Sequence, residues 1–261
     1  MDYILGKNKY SFLRNDEEYF IYKSLEEKIN KSYEKGITTC SDFLDPFWQK
    51  TADELAKSFY LNVHFYSGFI ESERKVLSFS PYNNNDNSLV SIFCANYKNN
   101  FTKIFHRDVL GALIGSGIDR KSLGDIIITD KVYFAALSTL DNFILSTNFR
   151  IKKNILSFTK TDSNLVKMPE LKKTYSNCIV SSMRADQIIH SIFNIKKNDV
   201  DNLIKLGKVK INYRLENKSS RNVEFNSLIS VRGYGRAFVT DQYTNTRSGK
   251  ICLTYYRIVE E

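Results

Sequence analysis

The triplet His106-Arg107-Asp108 combines an imidazole and a carboxylate, which can support acid–base catalysis, with a permanently charged guanidinium. A protein-kinase catalytic loop with this triplet requires an Asn five residues after the Asp, and Leu113 stands there. The sequence before the triplet also lacks a Gly-rich phosphate loop and a Val-Ala-Ile-Lys strand. The spacing therefore disfavours phosphoryl transfer.

The cysteines give no sign of a metal centre. They are far apart, without a Cys-x-x-Cys pair or a neighbouring histidine cluster, and comprise Cys40, Cys94, Cys178 and Cys252. This pattern argues against both a zinc site and a disulfide framework. The sequence also shows no paired catalytic carboxylates and no Cys/His nucleophile pair. We predict a non-catalytic protein that needs no metal or other cofactor.

Positive charge is concentrated towards the C-terminal end of the chain. Residues 181–261 carry 14 Lys/Arg against 8 Asp/Glu, whereas residues 1–80 carry 11 against 13. Such asymmetry is typical of a nucleic-acid-binding surface, although a lysine-rich composition alone can also make a surface basic. The residues predicted here to contact RNA are Arg184, Lys196, Lys197, Lys208, Lys210, Asn212 and Arg232.

Two short helices and a basic hairpin are expected to position these side chains. The apolar residues of the two helices recur at helical spacing, at Ile188, Ile189, Ile192 and Phe193 and then at Val200, Leu203 and Ile204. Val209 and Ile211 alternate with Lys208 and Lys210, which predicts a strand with cations on one face. Cations at helix N-termini add to the positive end of the helix dipole and favour phosphate oxygens.

The sequence predicts an α+β protein of three modules, of which the third contains this basic region. Residues 1–80 predict a helical module with a β-hairpin, and residues 81–160 follow a β-α-β-β-α-β order, as in ferredoxin-like and RNA-recognition domains. Residues 161–180 read as a connection, and residues 181–261 as the basic domain. No apolar run is long enough to span a membrane, so we expect a cytoplasmic protein, and a monomer.

The string from His106 to Ile126 is rich in glycine. Its spacing predicts a helix in which Gly111 and Gly115 allow close approach to a sheet, while Gly117 and Gly124 suit turns. His106 and Arg107 then lie near the helix N-terminus, where they could face RNA. The alternative is that the glycines are packing devices alone.

The basic domain resembles the small RNA-binding fold named after ribosomal protein S-four, hereafter the S-four domain. The matching motifs are Arg184-Ala185-Asp186, Leu203 to Gly207, and Lys208-Val209-Lys210-Ile211-Asn212. Lys196-Lys197 replaces the family's usual Ser-Arg, so the second helix loses a capping hydroxyl, at a cost of about 1 kcal/mol. The family's usual Gly-Asp-x-Ile-x-Val motif is replaced by Ser227 to Val231.

The order of modules and the string from His106 to Ile126 resemble the YlmH family. That resemblance implies an RNA-binding factor without catalysis. It would engage the large ribosomal subunit, through rRNA and tRNA, when peptidyl-tRNA is stalled, together with a factor that tails the stalled chain. One alternative is an RNA-modifying enzyme of the pseudouridine-synthase type, although its His-Arg-Leu-Asp motif is incomplete here. A cell-division-linked interaction protein is the other.

Overall fold

The computed structural model describes residues 10–83, 89–97, 103–162, 166 and 173–258. The chain forms two compact units, residues 1–169 and residues 170–261. Within the described residues it combines six α-helices with several antiparallel sheets, which confirms the predicted α+β class. None of the described helices has the length and apolar character needed to cross a membrane.

The first unit begins with two helices packed on a small sheet. Their elements are α1 (Asp16–Lys35), β1 (Thr39–Cys40), α2 (Pro46–Ser58), β2 (Asn62–Tyr66) and β3 (Val76–Ser80). The strands are ordered β1-β3-β2. Asn15 and Asp45 cap the two helices by accepting backbone N–H groups, and Pro46 occupies the first turn of α2. Trp48, the single tryptophan of the chain, lies in the core between them.

The rest of the first unit is built on a second sheet. Its elements are β4 (Val90–Asn96), α3 (His106–Gly115), β5 (Leu123–Ile128), β6 (Lys131–Leu137), α4 (Asp141–Ser146), β7 (Asn148–Ile151), β8 (Asn154–Ser157) and β9 (Thr159–Thr161). Four of the strands form an antiparallel sheet in the order β5-β6-β4-β9. Strands β7 and β8 form a separate hairpin. One face of the four-stranded sheet packs on α3 through Val109 and Leu113.

A shared core joins the two sheets of the first unit. Phe43, Phe69 and Val76 pack with residues of the second sheet, and this core also contains Ile92, Ile127, Tyr133, Ala135 and Val166. The boundary predicted at residue 80 therefore runs through a continuous apolar contact. Gly68 lies at this contact, where an added Cβ would come within 2.3 Å of the Cβ of Ala135.

The structure corrects two expectations about glycine. Gly111 and Gly115 do not approach the sheet, because both are exposed and an added Cβ would meet nothing within 4 Å. Gly124 is not in a turn but in β5, where an added Cβ would lie 2.7 Å from the Phe43 ring. Only Gly117, with φ +96°, has the left-handed backbone that was expected of it.

The second unit is a sheet covered by two helices. Its elements are β10 (Lys173–Val180), α5 (Ala185–Phe193), α6 (Lys197–Lys205), β11 (Val209–Ile211), β12 (Arg214–Leu215), β13 (Ser227–Val231), β14 (Gly235–Asn245) and β15 (Ile251–Ile258). The described strands form one sheet in the order β10-β15-β14-β13-β11-β12. Strand β10 lies inside the segment 161–180 that was predicted as a connection; residues 163–165 and 167–172 of that segment lie outside the described residues.

Alternation along these strands gives the sheet two distinct faces. The inner face packs on α5 and α6, with the buried strand residues Val180, Val209, Ile211, Ile229, Val231, Ala237, Val239 and Leu253 in one core. The intervening residues lie on the opposite side, which we call the outer face. It carries Lys173, Tyr175, Lys210, Ser230, Arg236, Phe238, Tyr256 and Ile258.

Candidate nucleic-acid interface

Three of the predicted cations lie at the N-termini of α5 and α6. Arg184 immediately precedes α5, Lys196 immediately precedes α6, and Lys197 is the first residue of α6. All three are exposed. Lys196 makes no side-chain capping hydrogen bond, as its replacement of the capping Ser predicts. The α6 N-terminus therefore presents backbone N–H groups together with two ammonium groups, an arrangement that favours a phosphate.

The guanidinium of Arg184 is engaged by Asp186. Its Nε and one terminal nitrogen donate to the two carboxylate oxygens at 3.1 and 2.9 Å. Burial alone would raise the pKa of Asp186, but the hydrogen bonds from Arg184 and Gln187 and the charge of Lys197 hold that pKa below its ordinary value. Lys197 thus lies within electrostatic range of Asp186, and the two helix N-termini are neighbours. The guanidinium that was predicted to contact RNA is therefore directed at a carboxylate of the same domain.

The remaining predicted cations lie on a different side of the sheet. Lys208, Lys210 and Arg232 line a cavity of about 640 Å³. Its walls also include Arg236 and Arg257, and the described lining residues include no Asp or Glu. The predicted basic cluster is therefore two groups of cations, one at the helix N-termini and one beside the outer face of the sheet.

Asn212 is placed as a structural residue. Its Oδ1 accepts from the backbone N–H of Leu228 at 2.8 Å, and its Nδ2 donates to Ser227 Oγ at 3.1 Å. Its φ of 49° is left-handed, a conformation that Asn tolerates better than most residues. The side chain that was predicted to contact RNA thus fixes the turn after β11 onto β13.

In the first unit, His106 and Arg107 begin α3. Asp108 Oδ2 accepts from the Phe105 N–H and forms an ion pair with Lys152 Nζ, both at 2.8 Å. Around the Phe105 ring, Lys152 Nζ, Arg107 Cζ and Lys103 Nζ lie 4.7, 5.5 and 5.6 Å from the centroid. The α3 N-terminus thus carries a group of cations around one aromatic ring, while Asp108 is occupied in holding the helix start.

Residues 83–164, which include α3 and the whole four-stranded sheet, match the family model described as "Putative RNA-binding domain in YlmH". The segment is similar to that domain, and we refer to it below as the YlmH-type domain. The chain is also 28% identical over 254 residues to the Ribosome-associated protein quality control protein P2 of Bacillus subtilis (strain 168), covering 95% of this chain and 98% of that protein.

A solved structure of the cell division protein ylmH from Streptococcus pneumoniae has a similar fold. It matches with a TM-score of 0.51 and 22% identity, over 60% of this chain and 97% of that one. At this identity the likeness concerns the fold alone.

Several cations of these surfaces were missed by sequence reasoning. Lys103 and Lys152 are 49 residues apart and meet because the β7–β8 turn packs beside α3, where Lys152 Nζ donates to the Lys103 carbonyl at 2.7 Å. Arg236 and Arg257 belong to strands whose register only the folded sheet defines. Strand alternation around Ala237 and Val239 could have placed Arg236 on the outer face from the sequence.

We expect Asp108→Asn to lower the free energy of unfolding of the first unit by about 1 kcal/mol at pH 7. Burial acts to raise the pKa of Asp108, but hydrogen bonds from Lys152 and Phe105 lower it below its ordinary value of 3.8. The stabilisation is therefore complete above that value and disappears as the pH falls through the lower folded-state pKa. Urea unfolding followed by Trp48 fluorescence, from pH 7 to pH 2.5, measures the difference. A difference that stays constant over that range would contradict the assignment.

Proposed function

We propose that this chain is a YlmH-family protein that binds RNA without catalysing a reaction. On this proposal it associates in the cytoplasm with the large ribosomal subunit, through rRNA and tRNA, and acts in quality control of stalled peptidyl-tRNA complexes with a factor that tails the stalled chain. The similarity to the Bacillus subtilis quality-control protein along nearly the whole of both chains supports this role. The second unit would be its S-four domain.

The observation that carries the proposal is the α6 N-terminus. Lys196 and Lys197 supply two positive charges there against one carboxylate in the first turn, Asp199. At the α5 N-terminus, by contrast, Arg184 is balanced by Asp186. The dipole of each helix adds to these charges. Phosphate binding should therefore be stronger at α6, and Arg184 should contribute mainly by exchanging a carboxylate for a phosphate oxygen.

A second contact is proposed for the YlmH-type domain. Lys103 and Arg107 are exposed beside the Phe105 ring, and the helix dipole of α3 ends at the same place. Lys152 shares its charge with Asp108, so it adds less to the field outside the domain. This group would contact the RNA backbone, because a cation contacts phosphate without reading sequence.

The geometry of Asp108 supports binding over catalysis. A pseudouridine-synthase-type nucleophile needs a carboxylate that is free to reach the base. Here Asp108 Oδ2 accepts from both the Phe105 N–H and Lys152 Nζ. The Asp108 carboxylate therefore stabilises the start of α3.

Cosedimentation with large ribosomal subunits tests the proposal. The triple variant Arg184→Ala, Lys196→Ala, Lys197→Ala is expected to bind at least about tenfold more weakly, because charge-assisted contacts are lost. The slope of log K against log salt should decrease by about one unit for each phosphate contact removed.

The matched control removes the same net charge from the same unit. Lys205, Arg247 and Lys250 are exposed residues away from the helix N-termini and from the cavity lining, and their triple Ala variant should keep most of the affinity. Equal losses of affinity in the two triple variants would mean that the loss comes from the lower net charge and not from the position of the cations. Unchanged association of the first triple variant would refute docking through the helix N-termini. For the enzyme alternative, nucleoside analysis of rRNA from a deletion strain would have to show a missing modification.

A further inference from the structure

A row of cations crosses the outer face of the sheet in the second unit. Residues paired across neighbouring strands follow one another as Lys173, Ile258, Arg236, Ser230 and Lys210. Every second residue of this row is positively charged, so the cations are spaced by about two strand widths, roughly 10 Å. At the β11–β14 side the row enters the cavity that also contains Lys208 and Arg232.

A row of aromatic rings lies next to the cations. Tyr175 pairs across the strands with Tyr256, and Tyr256 pairs with Phe238. Their ring centroids are 5.3 and 5.2 Å apart, and the second pair is stacked at 22°. Tyr175 ends the row and is 61% exposed, so it is the ring most open to a ligand. Lys173 Nζ lies 5.2 Å from the Tyr256 centroid and joins the two rows.

Acidic residues are missing from these positions. The described residues of the two rows and of the cavity lining include no Asp or Glu. A surface that combines a row of cations with adjacent aromatic rings suits a polyanion with exposed planar groups. Paired bases are hidden inside a duplex, whereas unpaired bases can stack on aromatic side chains while the backbone meets the cations.

We infer that the outer face binds a single-stranded segment of RNA, with a base on Tyr175 and phosphates along Lys173, Arg236 and Lys210. This inference rests on the proposed RNA-binding function but assigns a surface separate from the helix N-termini. The helix N-termini would hold structured RNA by its phosphates, while the outer face would hold an unpaired strand leaving that structure. The YlmH-type domain is not required for this contact.

Fluorescence anisotropy with the full chain tests the inference. The probes are a labelled single-stranded 12-nucleotide uridine RNA and a labelled 12-base-pair RNA duplex. Tyr175→Ala should weaken binding of the single strand by about tenfold, the value of one base stacked on one ring, and leave the duplex unaffected. The double variant Lys210→Ala, Arg236→Ala should lower the salt slope for the single strand by about 1.4, since two contacts are lost.

The control is Lys31→Ala, Tyr33→Ala in α1, a pair of exposed residues in the other unit in which Tyr33 is 58% exposed. It should leave both affinities unchanged. If the Ala variant unfolds, Tyr175→Leu replaces it in the test, because Leu keeps apolar bulk at this position but has no ring on which a base can stack. Equal losses for single strand and duplex, or no loss for Tyr175→Ala, would overturn the inference; the second outcome would point to a protein ligand for this face. The anisotropy results do not depend on ribosome association. Cosedimentation of the Arg184, Lys196 and Lys197 triple variant tests that association separately.

Discussion

Asp125→Ala is expected to lower the free energy of unfolding of the first unit by about 3–5 kcal/mol, the cost of breaking a buried charge network from one side. The Asp125 carboxylate accepts from the backbone N–H groups of Glu73 and Arg74 at 2.6 and 3.2 Å. Arg74 in turn donates from Nε to the Leu123 carbonyl at 3.1 Å and from a terminal nitrogen to the Phe43 carbonyl at 2.7 Å. The network thus ties the first small sheet to the second.

Two buried arginines feel the charge of Asp125. For Arg120 it is the carboxylate that acts on the pKa, whereas Arg74 also feels the charges of Asp45 and Glu73. Arg120 donates to the carbonyls of Leu123 and Gly124 beside Arg74. Burial, and then the charge of Arg74, lower the pKa of Arg120 to about 10, so it stays protonated at neutral pH. Removing Asp125 takes the neighbouring carboxylate from the buried Arg120 and one of three from Arg74, and it leaves two backbone amide groups without an acceptor.

Urea unfolding followed by Trp48 fluorescence measures this effect, since Trp48 is 5% exposed and lies in the first unit. Asp125→Asn keeps an acceptor oxygen but removes the charge, and it should fall between Ala and the unchanged protein. Glu54→Ala is the control, because the Glu54–Lys50 pair is exposed at 3.9 Å and such a pair contributes about 0–1 kcal/mol. A loss below about 1 kcal/mol for Asp125→Ala would mean that the network contributes no more than that surface pair.

The sequence predicts the local elements of this fold well and its long-range contacts poorly. Periodicity predicted the helices and the β-hairpin of residues 1–80, where α1, α2, β2 and β3 lie, because burial alternates along one element with a fixed period. Asp125, Arg74 and Arg120 carry no such periodic signal. Their meeting depends on how two sheets pack, and each taken alone resembles an ordinary surface charge.

In the candidate interface, too, the local features were predictable and the long-range contacts were not. Helix starts predicted the places of Lys196 and Lys197, and alternation with Val209 and Ile211 predicted that Lys208 and Lys210 share a face. Alternation could not show that this face lies opposite α5 and α6. The aromatic row also escaped prediction, since Tyr175 and Tyr256 are brought together by strand register across 81 residues of chain. Arg184 was predicted at its helix end, but its engagement by Asp186 needs side-chain geometry.

Gly68→Ala is expected to cost about 1–3 kcal/mol of the free energy of unfolding, and more if the backbone cannot move. Gly68 is buried between the two sheets of the first unit. An added Cβ would stand 2.3 Å from the Ala135 Cβ and 3.6 Å from Ile92 Cγ1. Ala135 has no rotatable side chain and is 1% exposed in β6, so relief requires the sheets to separate. Urea unfolding followed by Trp48 fluorescence again measures the change.

Gly111→Ala is the matched control, and its expected effect has the opposite sign. Gly111 lies inside α3 with its Cβ position open, so Ala should stabilise the unit by about 0.5–1 kcal/mol through a smaller loss of backbone entropy. Destabilisation by Gly111→Ala would mean that the glycine face of α3 packs after all, as its spacing suggested. Opposite signs at two glycines of one unit would instead establish that close approach occurs at the loop before β3 and not along α3.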